Sequence, residues 1–278
     1  MSDLSHLPTE AVNPRTADLS RLPTREALEL INSEDQKVAV AVSLVLDEVA
    51  QVVDAVAERM KRGGRLLYVG AGTSGRLGVV DASECPPTFG TPPEWVQGFI
   101  AGGREAMFRS QEGAEDIAEN GALVLQEAGL TADDSVVGIT ASGRTPYVMG
   151  ALQFARDNGV FTAGVTTNPQ AAMAPLCDVL IAPFVGPEVV TGSTRLKSGT
   201  AQKLVLNMIS TGVMLRLGRV EGNLMADLRP LCGKLEDRAR RLVMMMANVD
   251  SQAAENALSQ TNNNVREAVA FLNKSGSN

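Results

Sequence analysis

Two glutamates lie where a carboxylate could take part in proton transfer. Glu84 stands between a serine and a Cys-Pro-Pro turn in LLYVGAGTSGRLGVVDASECPPTFG, and Glu115 lies 31 residues later in the acidic block QEGAEDIAEN. The single histidine, His6, is in the N-terminal tail, which argues against a Ser-His-Asp arrangement and most histidine-based metal sites. Any proton transfer must then fall to Glu, Asp, Lys, Tyr or Cys. Taken alone, Glu84 could equally make a local hydrogen bond at a helix end, and the acidic block could be a solvated helix face.

Two loops rich in glycine and hydroxyl groups each follow an apolar segment and precede a helix. The first hydroxyl loop, GAGTSG, contains Thr73 and Ser74, and the second, TASGRTPYV, contains Ser142, Arg144 and Thr145. Free backbone N–H groups and the positive end of a helix favour an anion, and hydroxyls add neutral donors. The pair of loops predicts a site for one phosphate on a small polar molecule. For either loop alone, a plain connection between strand and helix is an equal alternative.

The first hydroxyl loop also matches the G-x-G-x-x-G fingerprint of a dinucleotide site. Such a site needs an acid about 20 residues further on, at the end of the second strand. Here that strand ends in FIAGGREAM, with Gly102 and Gly103 where the acid should be. NAD binding is therefore disfavoured, and we expect no cofactor.

A third hydroxyl cluster lies in GPEVVTGSTRLKSG. Glu188 precedes this cluster and is predicted to contact sugar hydroxyls, together with Ser193. Lys197 could reach a phosphate or a substrate carboxylate. A solvent-exposed lysine at the start of a helix is an equal alternative for Lys197.

The remaining sequence alternates between predicted helices and strands. Residues 1–32 are polar and contain several prolines, and are predicted to form an arm that lies on another part of the fold. A long amphipathic helix follows over 34–60, with Ser33 and Gln36 at capping-box spacing, and a Met-containing apolar helix covers 198–217. Shorter helical stretches are predicted over about 74–84, 105–128 and 145–157.

This order of elements is typical of a parallel sheet with helices on both sides. We predict an α/β fold with a doubly wound, five-stranded parallel sheet of flavodoxin-like order 2-1-3-4-5 over residues 33–230. In that order both hydroxyl loops face one crevice, because strands 1 and 3 are neighbours. Residues 235–274 are predicted to form a small unit of three helices. The strand segments are RLLYVG, WVQGFIAG, DSVVGITAS, GVFTAGVTT and CDVLIAPFV.

Composition narrows the classes of partner. The 278 residues include 25 basic and 32 acidic side chains, a formal charge of -7, which argues against nucleic-acid binding. No apolar run approaches the roughly 20 residues that span a bilayer, and the N-terminal sequence has no signal-peptide core, so we expect a cytoplasmic protein without membrane partners. Cys85, Cys177 and Cys232 are far apart and form no CxxC pair, so neither a metal site nor a disulfide framework is indicated.

The two long apolar helices predict self-association. The helices over 34–60 and 198–217 offer more apolar surface than one five-stranded sheet needs. We therefore expect a homodimer with the active site near the interface.

Several sequence blocks resemble a known family. A strand followed by GAGTSGR, with ASGRTP after the next strand but one, resembles the sugar isomerase (SIS) domain, a phosphosugar-binding fold. The longer blocks GAGTSGRLGVVDASECPPTFG, IAGG, EGAED, ASGRTPYV and EVVTGSTRLKSGTAQKLVLNM resemble the N-acetylmuramic acid 6-phosphate etherases over about residues 60–230.

The resemblance implies a reaction and roles for the two glutamates. It implies cleavage of the lactyl ether of N-acetylmuramate 6-phosphate to N-acetylglucosamine 6-phosphate and D-lactate during recycling of bacterial cell-wall sugars. It further implies that Glu84 is the acid at the lactyl oxygen and Glu115 the base at C2. The C-terminal helices are similar to the UBA-like extension of that family.

Two other functions remain open at this point. SIS domains also serve regulators, so a non-catalytic sugar-phosphate sensor is one alternative. An aldose–ketose isomerase is the other, since isomerisation also begins with removal of the C2 proton. A second acid near the ether oxygen discriminates, because an isomerase has no leaving group to protonate.

Overall fold

The protein is described here by a computed structural model that covers residues 7–225 and 233–275. His6 and Cys232 lie outside the described residues. Within those two ranges, no helix is both long enough and apolar enough to cross a membrane.

The chain divides into two compact units. The first contains the residues up to Ser83 and the segment Glu94–Val213. The second contains Glu84–Pro93 and the described residues from Met214 onward. The sheet and both hydroxyl loops belong to the first unit.

Five parallel strands form one sheet. They are β1 Leu66–Gly70, β2 Val96–Ile100, β3 Ser135–Ile139, β4 Phe161–Val165 and β5 Val179–Ile181. Their order, β2-β1-β3-β4-β5, confirms the predicted order 2-1-3-4-5. Strands β1, β3 and β4 are buried along their whole length, as expected for central strands covered on both faces. Gly70 is in register with Ile100 and Ile139, so three strands end side by side.

Helices precede, separate and follow the strands. Those of the N-terminal half are α1 Thr24–Ser43, α2 Leu46–Lys61, α3 Gly72–Phe89 and α4 Ala118–Glu127. The later helices are α5 Pro146–Asp157, α6 Lys197–Arg216, α7 Gly233–Ala247, α8 Ser251–Gln260 and α9 Val265–Ser275.

The single helix predicted over 34–60 is two helices in the structure. Helix α1 already begins at Thr24, inside the segment predicted to be an arm, and α2 begins at Leu46. Ser33 lies in the middle of α1, where its Oγ donates to the Leu30 carbonyl at 2.8 Å, so the predicted capping box was wrong. The helix starts earlier because the preceding residues, TREALEL, include several good helix formers.

The second unit contains the three predicted C-terminal helices. Helices α7, α8 and α9 pack around their own apolar cluster, with Val243, Ala254 and Val265 fully buried. Asp250 caps α8, because its side chain accepts a hydrogen bond of 2.8 Å from the backbone N–H of Ala253. The likeness of this unit to a UBA domain stays a prediction.

Candidate active site

A cavity of about 250 Å³ lies where the two hydroxyl loops meet, at the carboxyl ends of β1 and β3. We call it the hydroxyl cavity. The structure thus brings together the predicted Thr73, Ser74, Ser142 and Thr145, and places Glu115 in the same lining. Within the described part of the chain, the serines and threonines that line it are Thr9, Thr73, Ser74, Thr140, Ser142, Thr145 and Thr194.

The first hydroxyl loop turns tightly from β1 into α3. A Cβ atom on Gly75 would lie 2.7 Å from the Gly70 carbonyl oxygen and 2.7 Å from the Ile100 side chain, so this position requires glycine. The first residue of α3, Gly72, has a φ of +52°. The turn places the start of α3 at the cavity, where the positive end of the helix favours an anion.

The second hydroxyl loop ends at Thr145, the N-cap residue of α5. Thr145 makes no side-chain hydrogen bond to the first turn of α5. Its Oγ1 lies instead 2.8 Å from Thr140 Oγ1, which is in turn 3.4 Å from Ser142 Oγ. The start of α5 therefore lacks a side-chain cap, and the hydroxyls of Thr140, Ser142 and Thr145 lie beside it.

Ser74 has a buried partner that the sequence did not reveal. Its Oγ donates a 2.9 Å hydrogen bond to Gln202 Oε1. Gln202 is only 1% exposed, and its Nε2 has no hydrogen-bond partner among the described residues. With the amide turned by 180°, Nε2 would donate to Ser74 and free the serine proton for an anion in the cavity.

Two predicted residues lie outside the lining of the hydroxyl cavity. Arg144 is partly exposed within the second loop. Ser193 is partly buried, its backbone N–H donates to the Val190 carbonyl at 3.0 Å, and the adjacent Thr194 lines the cavity instead. The predicted substrate contacts of Arg144 and Ser193 stay predictions.

Glu115 lies on a short turn of 3-10 helix, Ala114–Asp116, and not on the longer helix predicted over 105–128. Gly113, with a φ of +74°, precedes this turn, and α4 begins only at Ala118. Glu115 is exposed, and its pKa is raised first by partial desolvation and then by the neighbouring charges of Asp116 and Glu112. A raised pKa makes the carboxylate a stronger base, which suits a group that removes a proton from carbon.

Glu84, the second predicted carboxylate, lies on α3 ten residues after Ser74. This spacing corresponds to about 15 Å along the helix axis. Helix α3 continues through Pro86 and Pro87 to Phe89, so the predicted helix end at Glu84 was wrong. The Glu84 side chain is exposed, and the residue belongs to the second unit. Its catalytic role stays a prediction.

The N-terminal arm supplies two residues of the lining that sequence reasoning missed. Thr9 and Glu10 line the hydroxyl cavity. The Thr9 carbonyl accepts a 3.2 Å hydrogen bond from the Gly192 N–H, and Thr16 Oγ1 donates to the Val189 carbonyl at 2.8 Å. These partners are far apart in the chain, so no local pattern could have indicated the contact.

The side chains of Glu188 and Lys197 both make hydrogen bonds to other residues of the fold. Glu188 is 1% exposed and accepts hydrogen bonds of 2.9 Å from the backbone N–H groups of Lys197 and Ser198, at the first turn of α6. Lys197 is also 1% exposed, and its Nζ donates to Glu34 Oε2 at 2.9 Å and to the Val185 carbonyl at 2.8 Å. These contacts argue against the sugar and phosphate contacts predicted for the two side chains.

Glu34 is the buried centre of a polar cluster that holds the arm and α6 together. Its carboxylate accepts hydrogen bonds from Arg15 and Lys37, both at 2.6 Å, from Lys197 at 2.9 Å and from Asn13 at 3.2 Å. Burial raises the pKa of Glu34, but the hydrogen bonds and charges of Lys37 and Lys197 outweigh it and lower the pKa to about 2. We call these five residues the Glu34 cluster.

Comparison with known proteins identifies close relatives. The family described as the glucokinase regulatory protein N-terminal SIS domain matches residues 48–156. A Mesorhizobium japonicum protein named N-acetylmuramic acid 6-phosphate etherase is 55% identical over 269 residues, or 97% of this chain and 88% of its own length. Proteins of the same name from Cronobacter sakazakii and Clostridium beijerinckii are 55% and 52% identical over 270 residues, which is 97% of this chain and 91% and 89% of theirs.

Solved structures share the fold at much lower identity. A phosphoheptose isomerase from Francisella tularensis aligns with a TM-score of 0.53 and 13% identity, covering 70% of this chain and 100% of that one. A protein of E. coli CFT073 aligns with a TM-score of 0.51 and 18% identity, covering 73% and 97% of the two chains. These likenesses support the SIS fold of the first unit.

Proposed function

The chain belongs to the N-acetylmuramic acid 6-phosphate etherase family and is an enzyme of that activity, and we propose that it cleaves the lactyl ether by elimination followed by addition of water. The products are N-acetylglucosamine 6-phosphate and D-lactate. The names of its relatives weigh against both alternatives, the non-catalytic sensor and the aldose–ketose isomerase.

The chemistry of the substrate explains why elimination is needed. An alkyl ether has a poor leaving group, so direct displacement by water is slow. In the open-chain form of the sugar, the neighbouring aldehyde acidifies the proton on C2. A base removes that proton first, and an acid then protonates the departing oxygen on C3, which gives a C2–C3 double bond and free lactate. Water adds at C3 in the reverse sense and restores the hydroxyl.

One observation carries the proposal: Glu115 lines the same cavity as both hydroxyl loops. A phosphate bound by the loops and the start of α3 fixes one end of the open-chain sugar. A carboxylate in the same lining can then act at a carbon further along that sugar. We propose Glu115 as the base at C2 and Glu84 as the acid at the lactyl oxygen.

The direct test is to incubate the purified protein with N-acetylmuramate 6-phosphate and to measure D-lactate. We expect one lactate for each N-acetylglucosamine 6-phosphate formed. Binding of the substrate without any release of lactate would exclude this function.

The hydroxyl loops are tested by Ser142→Ala and Ser74→Ala. Each variant should bind N-acetylglucosamine 6-phosphate about 10- to 100-fold more weakly, the usual cost of losing one hydrogen bond to a charged group. Ser259→Ala is the matched control, because Ser259 lies on α8 outside the cavity lining and this variant should bind as the wild type does. Calorimetry measures the affinities, and thermal melting checks that stability changes little. Unaltered affinity in both cavity variants would place the phosphate elsewhere.

We also propose that the chain forms a homodimer. Exposed apolar side chains on α1, just after it and at the start of α2 support this, with Leu28 58%, Val40 63%, Leu44 79% and Leu46 46% exposed. Sedimentation should give twice the mass of the chain. Leu44→Glu should shift the protein toward the monomer, whereas Leu123→Glu, at an exposed position on α4, should not. A fully active monomer of the wild type would contradict the proposal.

A further inference from the structure

A second, smaller cavity adjoins the hydroxyl cavity. It has a volume of about 130 Å³ and shares Ala71, Gly72 and Glu115 with the hydroxyl cavity. Its other walls include Arg76 on α3 and the segment 110–114. We call it the arginine cavity, since Arg76 is the only cationic side chain among the described residues that lines either cavity.

The guanidinium of Arg76 is held in place but not neutralised. Its Nε donates to the Met107 carbonyl at 3.2 Å. Within residues 7–225 and 233–275, the Nη1 and Nη2 groups make no hydrogen bond, and Arg76 forms no ion pair. Glu112, which lines the same cavity, accepts a 3.2 Å hydrogen bond from Ser110 instead. Arg76 thus offers two parallel donors and a positive charge to a ligand, the arrangement that matches a carboxylate.

The substrate carries two anions at different distances from the reacting carbons. The phosphate is on C6, and the lactyl carboxylate is attached through the oxygen on C3. The hydroxyl cavity offers helix starts and neutral hydroxyls for the phosphate, and Glu115 stands in the lining common to both cavities. C3 is bonded to C2, so with C2 at Glu115 the lactyl substituent on C3 is within reach of the arginine cavity, which Glu115 also lines.

We propose that the arginine cavity binds the lactyl group and that Arg76 pairs with its carboxylate. This inference rests on the proposed function, specifically on the phosphate in the hydroxyl cavity and Glu115 at C2. The acetamido group of the substrate is neutral and does not need a cation, so the carboxylate is the better ligand for Arg76. Glu112 and Glu115 repel a carboxylate, so its binding in this cavity depends on Arg76. The same repulsion favours release of lactate once the ether bond is broken.

The test compares two ligands that differ only in the lactyl group. In a Glu115→Gln background, which prevents turnover, Arg76→Gln should bind N-acetylmuramate 6-phosphate about 10- to 100-fold more weakly. Affinity for N-acetylglucosamine 6-phosphate should stay within about twofold, since that ligand lacks the carboxylate. Arg76→Lys keeps the charge without the two parallel donors and should fall between the wild type and Arg76→Gln. Arg109→Gln, an exposed arginine outside both cavities, is the matched control.

The outcomes separate the inference from the proposed function. If Arg76→Gln and Arg76→Lys weaken both ligands equally, or weaken neither, the lactyl subsite is overturned. If Arg76→Gln does not fold, Arg76→Lys decides. Weaker binding of N-acetylmuramate 6-phosphate alone supports the subsite, and equal losses for both ligands, or none, overturn it. A wild-type protein that converts N-acetylmuramate 6-phosphate without releasing lactate would instead contradict the function itself, whatever Arg76 binds.

Discussion

Glu115→Gln should release lactate on the order of 10²-fold more slowly than the wild type, and should incorporate no solvent deuterium at C2. Glutamine has nearly the size of glutamate but cannot accept the C2 proton, and that proton must leave before the lactyl oxygen does. Partial desolvation and the charges of Asp116 and Glu112 raise the pKa of Glu115, so its carboxylate is a stronger base than an ordinary glutamate. Mass spectrometry of the recovered sugar measures exchange, and an enzymatic lactate assay measures release.

Glu84→Gln should separate the two steps. If Glu84 protonates the departing oxygen, its loss slows lactate release by a similar factor but leaves deuterium exchange at C2, because removal of the C2 proton does not need the acid. Both variants should bind N-acetylglucosamine 6-phosphate, since neither glutamate belongs to the hydroxyl loops. Glu112→Gln is the control for charge, because it removes a negative charge near Glu115 and leaves the carboxylate of Glu115 in place.

Two results would revise this assignment in different ways. If Glu84→Gln abolished deuterium exchange at C2 and Glu115→Gln retained it, the acid and base roles would be reversed. The two glutamates would still be the catalytic pair. Lactate release at the wild-type rate in both variants would exclude the elimination mechanism with these residues.

The sheet could be predicted because its signal is local. Each strand is a short run of apolar residues between loop residues, and burial on both faces requires such a run. The order of the strands followed from a general property of doubly wound sheets with alternating helices. The meeting of the Ser74 and Ser142 loops is a consequence of that order, since both loops follow neighbouring strands.

Helix ends were predicted less well because tertiary packing decides them. The Cys-Pro-Pro sequence after Glu84 suggested a turn, yet α3 runs on to Phe89 with Pro86 and Pro87 inside it. The acidic block around Glu115 suggested a helix face, but Gly113 in the left-handed region breaks the chain into a short turn there. Such departures depend on what each segment packs against, which composition does not record.

The residues that sequence reasoning missed are joined to the cavity over long stretches of chain. Glu10 reaches the cavity through an arm held by the loop around Gly192, and Gln202 reaches Ser74 from α6. Glu188 and Lys197 illustrate the converse. Their types and positions suited a ligand. In the structure Glu188 accepts hydrogen bonds from the first turn of α6, and Lys197 donates to the carboxylate of Glu34.

The buried pair between Glu34 and Lys197 leads to the largest expected loss of stability. Glu34→Gln should lower the free energy of unfolding by about 3–5 kcal/mol, because it leaves the charge of Lys197 buried without its carboxylate. Lys197→Met should cost less, since Glu34 keeps Arg15 and Lys37 as partners. The double variant should recover part of the loss of Glu34→Gln, because no buried ammonium remains. Urea unfolding at pH 7 measures all three, and equal losses in Glu34→Gln and Lys197→Met would contradict this account.

The same pair predicts how stability depends on pH. In the folded protein the pKa of Glu34 is about 2, below its ordinary value of 4.5. The stabilisation from the charged form is therefore present above about pH 4.5 and is lost as the pH falls toward 2, a change on the order of 3 kcal/mol. The difference in unfolding free energy between the wild type and Glu34→Gln should narrow between pH 5 and pH 3. A difference that stays constant over this range would show that Glu34 is not held charged by its partners.

The Glu34 cluster also connects stability to the active site. Asn13 and Arg15 attach the arm to Glu34, and the arm carries Thr9 and Glu10 into the lining of the hydroxyl cavity. A loosened arm exposes the cavity to water and removes part of its wall, so Glu34→Gln should raise KM for N-acetylmuramate 6-phosphate even where the protein is still folded. Ser43→Ala, which removes an exposed hydroxyl of α1 that does not contact the Glu34 cluster, should leave KM unchanged. An unchanged KM in folded Glu34→Gln would show that the arm holds its position without the cluster.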